Sequence, residues 1–286
     1  MSRPPTLTLP PCARAYRLRT ARGEFAIHDA RPERPPLGTA LLVPGFTGSK
    51  EDFIGLLEPL AAAGFRTVAV DGRGQHETPG PREESAYTQD ELARDVLAQA
   101  RAIGGSGPVH LLGHSLGGLL VRAAVLLDPA PFRSLTVLSS GPAAIVSAQQ
   151  DRVRALIDAL GRVDMQTVWD AMRRLDPPEA ADATTPPDVA EFLHRRWMNT
   201  VPEQLVAGGR QMIGEPDRVA ELAAVPLPKH VISGAFDYAW PVPQMDEMAE
   251  RLSARRTVVP GTEHSPNADR PAETAAALAA FWHEVG

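Results

Sequence analysis

Along this chain, short, mostly apolar runs alternate with longer stretches in which apolar residues recur every three or four positions. Residues 39–43, 65–70, 109–112 and 132–138 are runs of the first kind, and the first three stop at Pro44-Gly45, Asp71-Gly72 and Gly113. Runs this short and this apolar predict strands buried on both faces. Residues 52–63, 89–103 and 118–127 carry the helical period, with Gly64 and the turn Gly104-Gly105-Ser106-Gly107 as stops. Ahead of them, residues 14–29 alternate polar and apolar and predict an antiparallel hairpin with Gly23 near its turn, followed by a proline-rich connection at 32–38. Strands and helices in this alternation predict an α/β domain, a mostly parallel sheet with helices on both faces.

The alternation then breaks. Between about 142 and 226 only helical periods remain, at 149–160, 165–175, 188–198 and 203–212, with proline pairs at 177–178 and 186–187 between them. Strand-like runs return at 230–233 and 256–259, and an alanine-rich helix at 272–285 closes the pattern. The expected division is a core domain of residues 1–141 and 227–286, with residues 142–226 inserted as a helical cap. No internal repeat is visible.

Composition narrows the function classes. At 286 residues and 43% hydrophobic content, the chain can bury the core of one large α/β domain with an insertion. Its longest apolar runs are too short to span a bilayer, and Met1-Ser2-Arg3-Pro4-Pro5 lacks the apolar stretch of a secretory signal. A single cysteine, Cys12, excludes an internal disulfide and fits a reducing, cytoplasmic setting. A net charge of −6 argues against nucleic acid or an anionic membrane as partner. The expected partner is a small molecule, and the expected state a monomer or homodimer. No histidine pair has metal-ligand spacing, and no glycine-rich segment has a dinucleotide or phosphate-loop pattern, so neither metal nor cofactor is expected.

The candidate chemistry lies at Gly113-His114-Ser115-Leu116-Gly117, between the run 109–112 and the helical stretch 118–127. G-x-S-x-G between a strand and a helix marks a nucleophilic serine on a tight turn. Glycine suits both flanks, because a Cβ there would collide with the neighbouring strand or helix. Such a serine needs a base, and the base needs an orienting carboxylate. Asp237 follows the run ending at Ser233, and His264 follows the run ending near Val259. Both therefore stand at the carboxyl ends of predicted strands, where open α/β sheets place their sites. Of the other histidines, His110 is expected buried and satisfied on its apolar run, His114 packed beneath the turn, and His76 on a surface loop.

Taken together these segments resemble the α/β-hydrolase superfamily over nearly the whole chain. Gly113 to Gly118 is similar to that family's nucleophile turn, Gly234 to Pro241 to its acid segment, and Gly261 to Pro266 to its histidine segment. Asp71-Gly72-Arg73-Gly74 resembles its structural turn after the fourth strand, and Pro44-Gly45-Phe46-Thr47-Gly48 the loop that usually begins His-Gly. The resemblance implies the α/β-hydrolase fold and three roles. Ser115 attacks an acyl carbon, His264 takes and returns its proton, and Asp237 holds the His264 tautomer. It also implies an oxyanion hole made by the backbone N–H groups of Phe46 and Leu116, whose side chains shape the acyl pocket. Two positions depart from the pattern. Pro44 replaces the histidine that helps brace the loop, so support must come from elsewhere, and His76 stands where a glycine is expected.

By the same resemblance the insertion would form a lid over the serine. Its large apolar side chains are Trp169, Met172, Phe192, Trp197, Met198 and Met212. They are expected chiefly in the lid's own core, with Phe46, Trp169 and Trp197 as candidate substrate-binding residues. Arg195-Arg196 reads as a solvated face, or alternatively as a partner for a substrate carboxylate. The leading expectation is a serine hydrolase of a small carboxylic ester, lactone or thioester. Two alternatives stay open: a lyase or carbon–carbon bond hydrolase acting on an anionic metabolite, and a non-catalytic ligand-binding protein.

Overall fold

The computed structural model describes residues 1–105, 107–175 and 185–286; Ser106 and the proline pair 177–178 lie outside the described residues. The hairpin comes first, as β1 (Ala13–Thr20) and β2 (Gly23–Ala30), with Thr20 paired to Gly23 across the turn. β3 (Gly38–Val43) leads through a 3-10 turn at Lys50–Phe53 into α1 (Ile54–Ala62) and β4 (Phe65–Val70). Then come α2 (Gln89–Gly104), β5 (Val109–His114), α3 (Leu116–Leu127) and β6 (Phe132–Leu138). The helices α4 (Ser147–Leu160), α5 (Met165–Leu175), α6 (Pro187–Asn199), α7 (Pro202–Gly214) and α8 (Val219–Ala223) follow without a strand among the described residues. The chain ends with β7 (Lys229–Gly234), α9 (Val242–Arg251), β8 (Arg255–Val259), α10 (Pro266–Asp269) and α11 (Pro271–Glu284).

Among the described residues the strands form one eight-stranded sheet in the order β1-β2-β4-β3-β5-β6-β7-β8. It is parallel from β4 to β8, with β1 and β2 antiparallel at one edge. Successive side chains of a strand point to opposite faces, so each central strand feeds two apolar layers. Leu41, Leu111, Leu135 and Val231 pack with α2, α3 and α9 on one face. Leu42, Leu112, Leu138 and Ile232 pack with α1 and α11 on the other. This is why the central strands read as mostly apolar runs.

Several elements differ from the expectation, the short helices α8 and α10 among them. The helix expected from residue 52 begins at Ile54, because Lys50–Phe53 close a 3-10 turn in which the Asp52 carboxylate accepts the Ser49 N–H at 3.3 Å. The expectation has no helix between the runs 230–233 and 256–259; α9 forms there, with Pro241 as its cap and Pro243 in its first turn, where a missing N–H costs nothing. In the insertion, Val168, Trp169, Val189, Phe192, Leu193, Trp197 and Leu205 form a separate apolar cluster. Val219 and Leu222 of α8 and Met212 of α7 instead join the layer on the sheet. No helix among the described residues is long and apolar enough to cross a membrane.

Candidate active site

β5 delivers Ser115 into a sharp turn at φ 55° and ψ −122°. A non-glycine residue in that region costs about 1–3 kcal/mol and persists only where its surroundings impose it. Here the Ser115 N–H donates to Leu138 O at 2.9 Å and its carbonyl accepts the Gly118 N–H at 2.8 Å. The flanking glycines leave no room for a side chain. A Cβ on Gly113 would lie 2.3 Å from Gly117 O, and one on Gly117 would lie 2.4 Å from Val43 O and 2.5 Å from Pro44 O. Those obstacles are backbone. Gly117→Ala is therefore expected to destabilise the fold by at least about 2 kcal/mol, at the upper end of overpacking costs. Thermal unfolding checks this against Gly214→Ala, where nothing lies within 4 Å of the added methyl group. Equal melting points for the two variants would remove the close-packing account.

Ser115, His264 and Asp237 meet at the carboxyl ends of β5, β8 and β7. His264 Nε2 lies 3.0 Å from Ser115 Oγ, and His264 Nδ1 lies 2.8 Å from Asp237 Oδ2. The other carboxylate oxygen, Oδ1, accepts the Ala239 N–H at 2.8 Å and the Trp240 N–H at 3.1 Å, so the acid cannot rotate freely. A carboxylate facing Nδ1 places the imidazole proton there and leaves the Nε2 lone pair for the serine hydroxyl. The acid and histidine loops press together: a Cβ on Gly234 would lie 2.1 Å from Glu263 O. His114 supports the histidine loop from below, donating from Nε2 to His264 O at 2.8 Å. Burial pushes the His114 imidazole down to about 3, so it stays a neutral donor. The buried ring of Trp240 stacks on His264 with centroids 6.3 Å apart, and its Nε1 donates to Ala143 O at 2.8 Å.

The loop after β3 lies against the serine. A Cβ on Gly45 would be 2.9 Å from Ser115 Cβ. Gly45 O accepts hydrogen bonds from Gln75 Nε2 at 3.0 Å and from the Gly48 N–H at 3.1 Å. Leu116 is the first residue of α3, so its N–H has no partner within the helix. Helix α7 closes over this region: a Cβ on Gly208 would lie 2.9 Å from Leu116 Cδ2 and 3.4 Å from Phe46 Cδ2. Ser115 and His264 are accordingly only 6% and 9% exposed. A cavity of about 510 Å³ opens elsewhere, between α7, the α4–α5 turn and residues 82–84, and none of Ser115, Asp237 and His264 lines it. Among the described residues, no group of three or more His, Cys, Asp or Glu side chains is placed to hold a metal ion.

The sequence pattern of the family described as alpha/beta hydrolase fold matches residues 40–271. The chain belongs to the α/β-hydrolase fold family. Over 123 residues it is 35% identical to a Variovorax paradoxus protein named as a carbamate hydrolase, RutD; the match covers 42% of this chain and 46% of that relative, less than half its length. Two solved structures share the fold nearly end to end. A thermophilic esterase from Thermogutta terrifontis superposes with a TM-score of 0.76 at 22% identity, covering 96% of this chain and 99% of that one. An enol-lactonase from Burkholderia xenovorans gives 0.75 at 19% identity, covering 94% and 100%.

Several polar residues of this α/β-hydrolase differ from the sequence expectation. His76 is not a surface residue. It is buried with its ring edge-on to Phe192 of α6, centroids 5.4 Å apart, and burial pushes it down to about 4. The cause is α6 folding down over the turn after β4. Arg196 is not solvated either. It is fully buried and donates to Asp52 Oδ1 at 2.6 Å and to Ser2 O at 2.9 Å. Arg195 stays exposed, with its guanidinium 5.8 Å from the Phe192 ring centroid. His114 lies beneath the turn as expected. His110 is buried as expected, with Nδ1 2.8 Å from Ser134 Oγ, but its Nε2 finds no partner among the described residues. Of the three candidate pocket side chains, Phe46 follows Gly45 in the loop beside Ser115, faces Gly208 of α7 and packs against the insertion's apolar cluster. Trp169 and Trp197 lie in the insertion's own apolar cluster, and Trp197 Nε1 is committed to Met165 O at 2.8 Å.

Proposed function

We propose that this α/β-hydrolase is a serine hydrolase that cleaves a small carboxylic ester, lactone or thioester through an acyl-enzyme. One observation carries the reading: an unbroken hydrogen-bond chain from Ser115 Oγ through His264 to Asp237, with links of 3.0 and 2.8 Å. Ser115 Oγ attacks the acyl carbon while His264 Nε2 takes its proton. Asp237 Oδ2 holds the Nδ1 proton and stabilises the imidazolium that forms. The tetrahedral oxyanion is met by the backbone N–H groups of Phe46 and Leu116, each worth on the order of 10²–10³ in turnover. Collapse expels the leaving group, which takes the proton from His264. Water, deprotonated by His264 in turn, releases the acid and restores Ser115.

The insertion serves as the cap in this reading. Helix α7 packs onto Phe46 and Leu116, beside Ser115, through the side-chain-free surface of Gly208. That favours small substrates, and water exclusion strengthens the dipoles inside. The relative named as a carbamate hydrolase supports chemistry at a carboxyl-derived carbon. A lyase that grips a polyanion with cap arginines is less well supported, because Arg196 is consumed by Asp52.

A series of p-nitrophenyl esters from acetate to octanoate, run beside a fluorophosphonate probe, tests the proposal. Acetate and butyrate should turn over fastest, with octanoate slower by about tenfold or more, as overpacking by 1–3 kcal/mol implies. Ester inertness with Ser115 still labelled would move the assignment to lyase or carbon–carbon chemistry. Failure of both ester and probe would leave a ligand-binding protein.

A further inference from the structure

The loop beside Ser115 begins at Pro44, which offers neither a backbone N–H nor a polar side chain. Within the loop the Gly48 N–H donates to Gly45 O at 3.1 Å; from outside it, Gln75 is the residue that reaches the same carbonyl. Gln75 lies in the turn after β4 and is 5% exposed. Its Nε2 donates to Gly45 O at 3.0 Å, while its Oε1 accepts the Gly72 N–H at 2.9 Å. A carbonyl faces one end of the amide and an N–H the other, so a single amide orientation satisfies both. The backbone beneath is pinned as well. The Gln75 N–H donates to Gly72 O at 3.0 Å and its carbonyl accepts the Thr78 N–H at 2.9 Å.

Gly45 O belongs to the same planar unit as the Phe46 N–H. In a trans peptide the C=O and N–H point in opposite directions, and the described chain contains no cis peptide. Holding the carbonyl on Gln75 therefore turns the Phe46 N–H the other way. No acceptor takes that N–H among the described residues. The unit itself lies on the nucleophile, since a Cβ on Gly45 would be 3.4 Å from Ser115 Oγ.

We propose that Gln75 is the positioning residue of the oxyanion hole, fixing the Gly45–Phe46 peptide plane so that the Phe46 N–H faces the developing oxyanion. The proposal rests on the serine-hydrolase reading above. Gln75 touches no reacting atom and acts through the peptide it holds. Its removal should therefore appear in kcat and leave KM nearly unchanged.

Two near-isosteric variants test this: Gln75→Glu, which when ionised keeps the acceptor for Gly72 and loses the donor to Gly45, and Gln75→Met, which loses both without adding charge. Each is examined for kcat and KM on p-nitrophenyl acetate, for the rate of fluorophosphonate labelling, and for the ¹⁵N–H resonance of Phe46 in ¹⁵N-phenylalanine protein, assigned with Phe46→Leu. The expected result is a kcat lower by about 10–100-fold, part of what one oxyanion donor is worth. KM should stay within about threefold, labelling should slow in parallel, and the Phe46 resonance should move. A Phe46 resonance unmoved in both variants, or kcat within about threefold of wild type, overturns the proposal. So does a loss confined to KM and melting temperature. A wild type that neither hydrolyses nor labels would fail the serine-hydrolase reading instead, and the Gln75 brace would then stand or fall on the Phe46 resonance alone.

Discussion

Ser115→Ala is expected to lower kcat on a short p-nitrophenyl ester by about 10³–10⁶-fold while leaving the melting temperature within about 2 °C of wild type. The two halves of this result have separate causes. Without Oγ no acyl-enzyme forms, and what remains is the residual acceleration by the oxyanion donors and by binding. The fold loses almost nothing, because alanine keeps the Cβ and the strained φ of 55° that the neighbouring hydrogen bonds already impose. Residues acting as one unit are strongly non-additive. The double variant Ser115→Ala/His264→Ala should thus be no slower than Ser115→Ala alone. Retention of a tenth or more of the wild-type kcat, measured on protein free of wild-type contamination, would remove Ser115 from the reaction. Double-variant losses that multiplied would deny that Ser115 and His264 act together.

The grouping of Ser115, Asp237 and His264 was readable because each is announced by its own neighbours. Ser115 stands between two glycines that the turn requires, Asp237 follows the buried strand β7, and His264 follows the edge strand β8, where only Val259 is buried. The parallel sheet was readable for the same reason: Leu41-Leu42 and Leu111-Leu112 feed opposite apolar layers, and such doubling leaves few other folds. The residues that were misread or missed take their meaning from partners far along the chain. Arg196 is separated from Asp52 by 144 residues, and nothing around Arg195-Arg196 marks one arginine as buried and the other as exposed. His76 is buried only because α6 comes down on it. Gln75 lies 30 residues from Gly45, and a glutamine in a turn carries no local sign of bracing another loop. The departure at Pro44 was the one available clue, since it required a brace from elsewhere without saying which residue supplies it.

Arg196→Met should produce the largest loss of stability short of unfolding the sheet, about 3–5 kcal/mol. Arg196 of α6 and Asp52 in the turn before α1 tie the insertion to the flank of the Gly45 loop, and both side chains are almost fully excluded from water. With the guanidinium gone, the Asp52 carboxylate keeps the Ser49 N–H at 3.3 Å but no counter-charge. At roughly 2–4 °C per kcal/mol, the melting temperature should fall by about 6–20 °C. The pH dependence separates a stranded charge from simple loss of packing. Burial already raises the Asp52 pKa above its ordinary value against the pull of Arg196, and removing Arg196 raises it further. A carboxyl whose folded pKa lies above its unfolded one is bound more tightly to its proton in the folded state. The variant therefore regains stability as pH falls through the folded value. Its deficit should be greatest near pH 8 and shrink toward pH 5. Adding Asp52→Asn should recover most of the loss at pH 8, because it removes the stranded charge without restoring the arginine. A deficit that grows on acidification, or that Asp52→Asn deepens, would show that Arg196 acts by filling space and that its pairing with Asp52 contributes little.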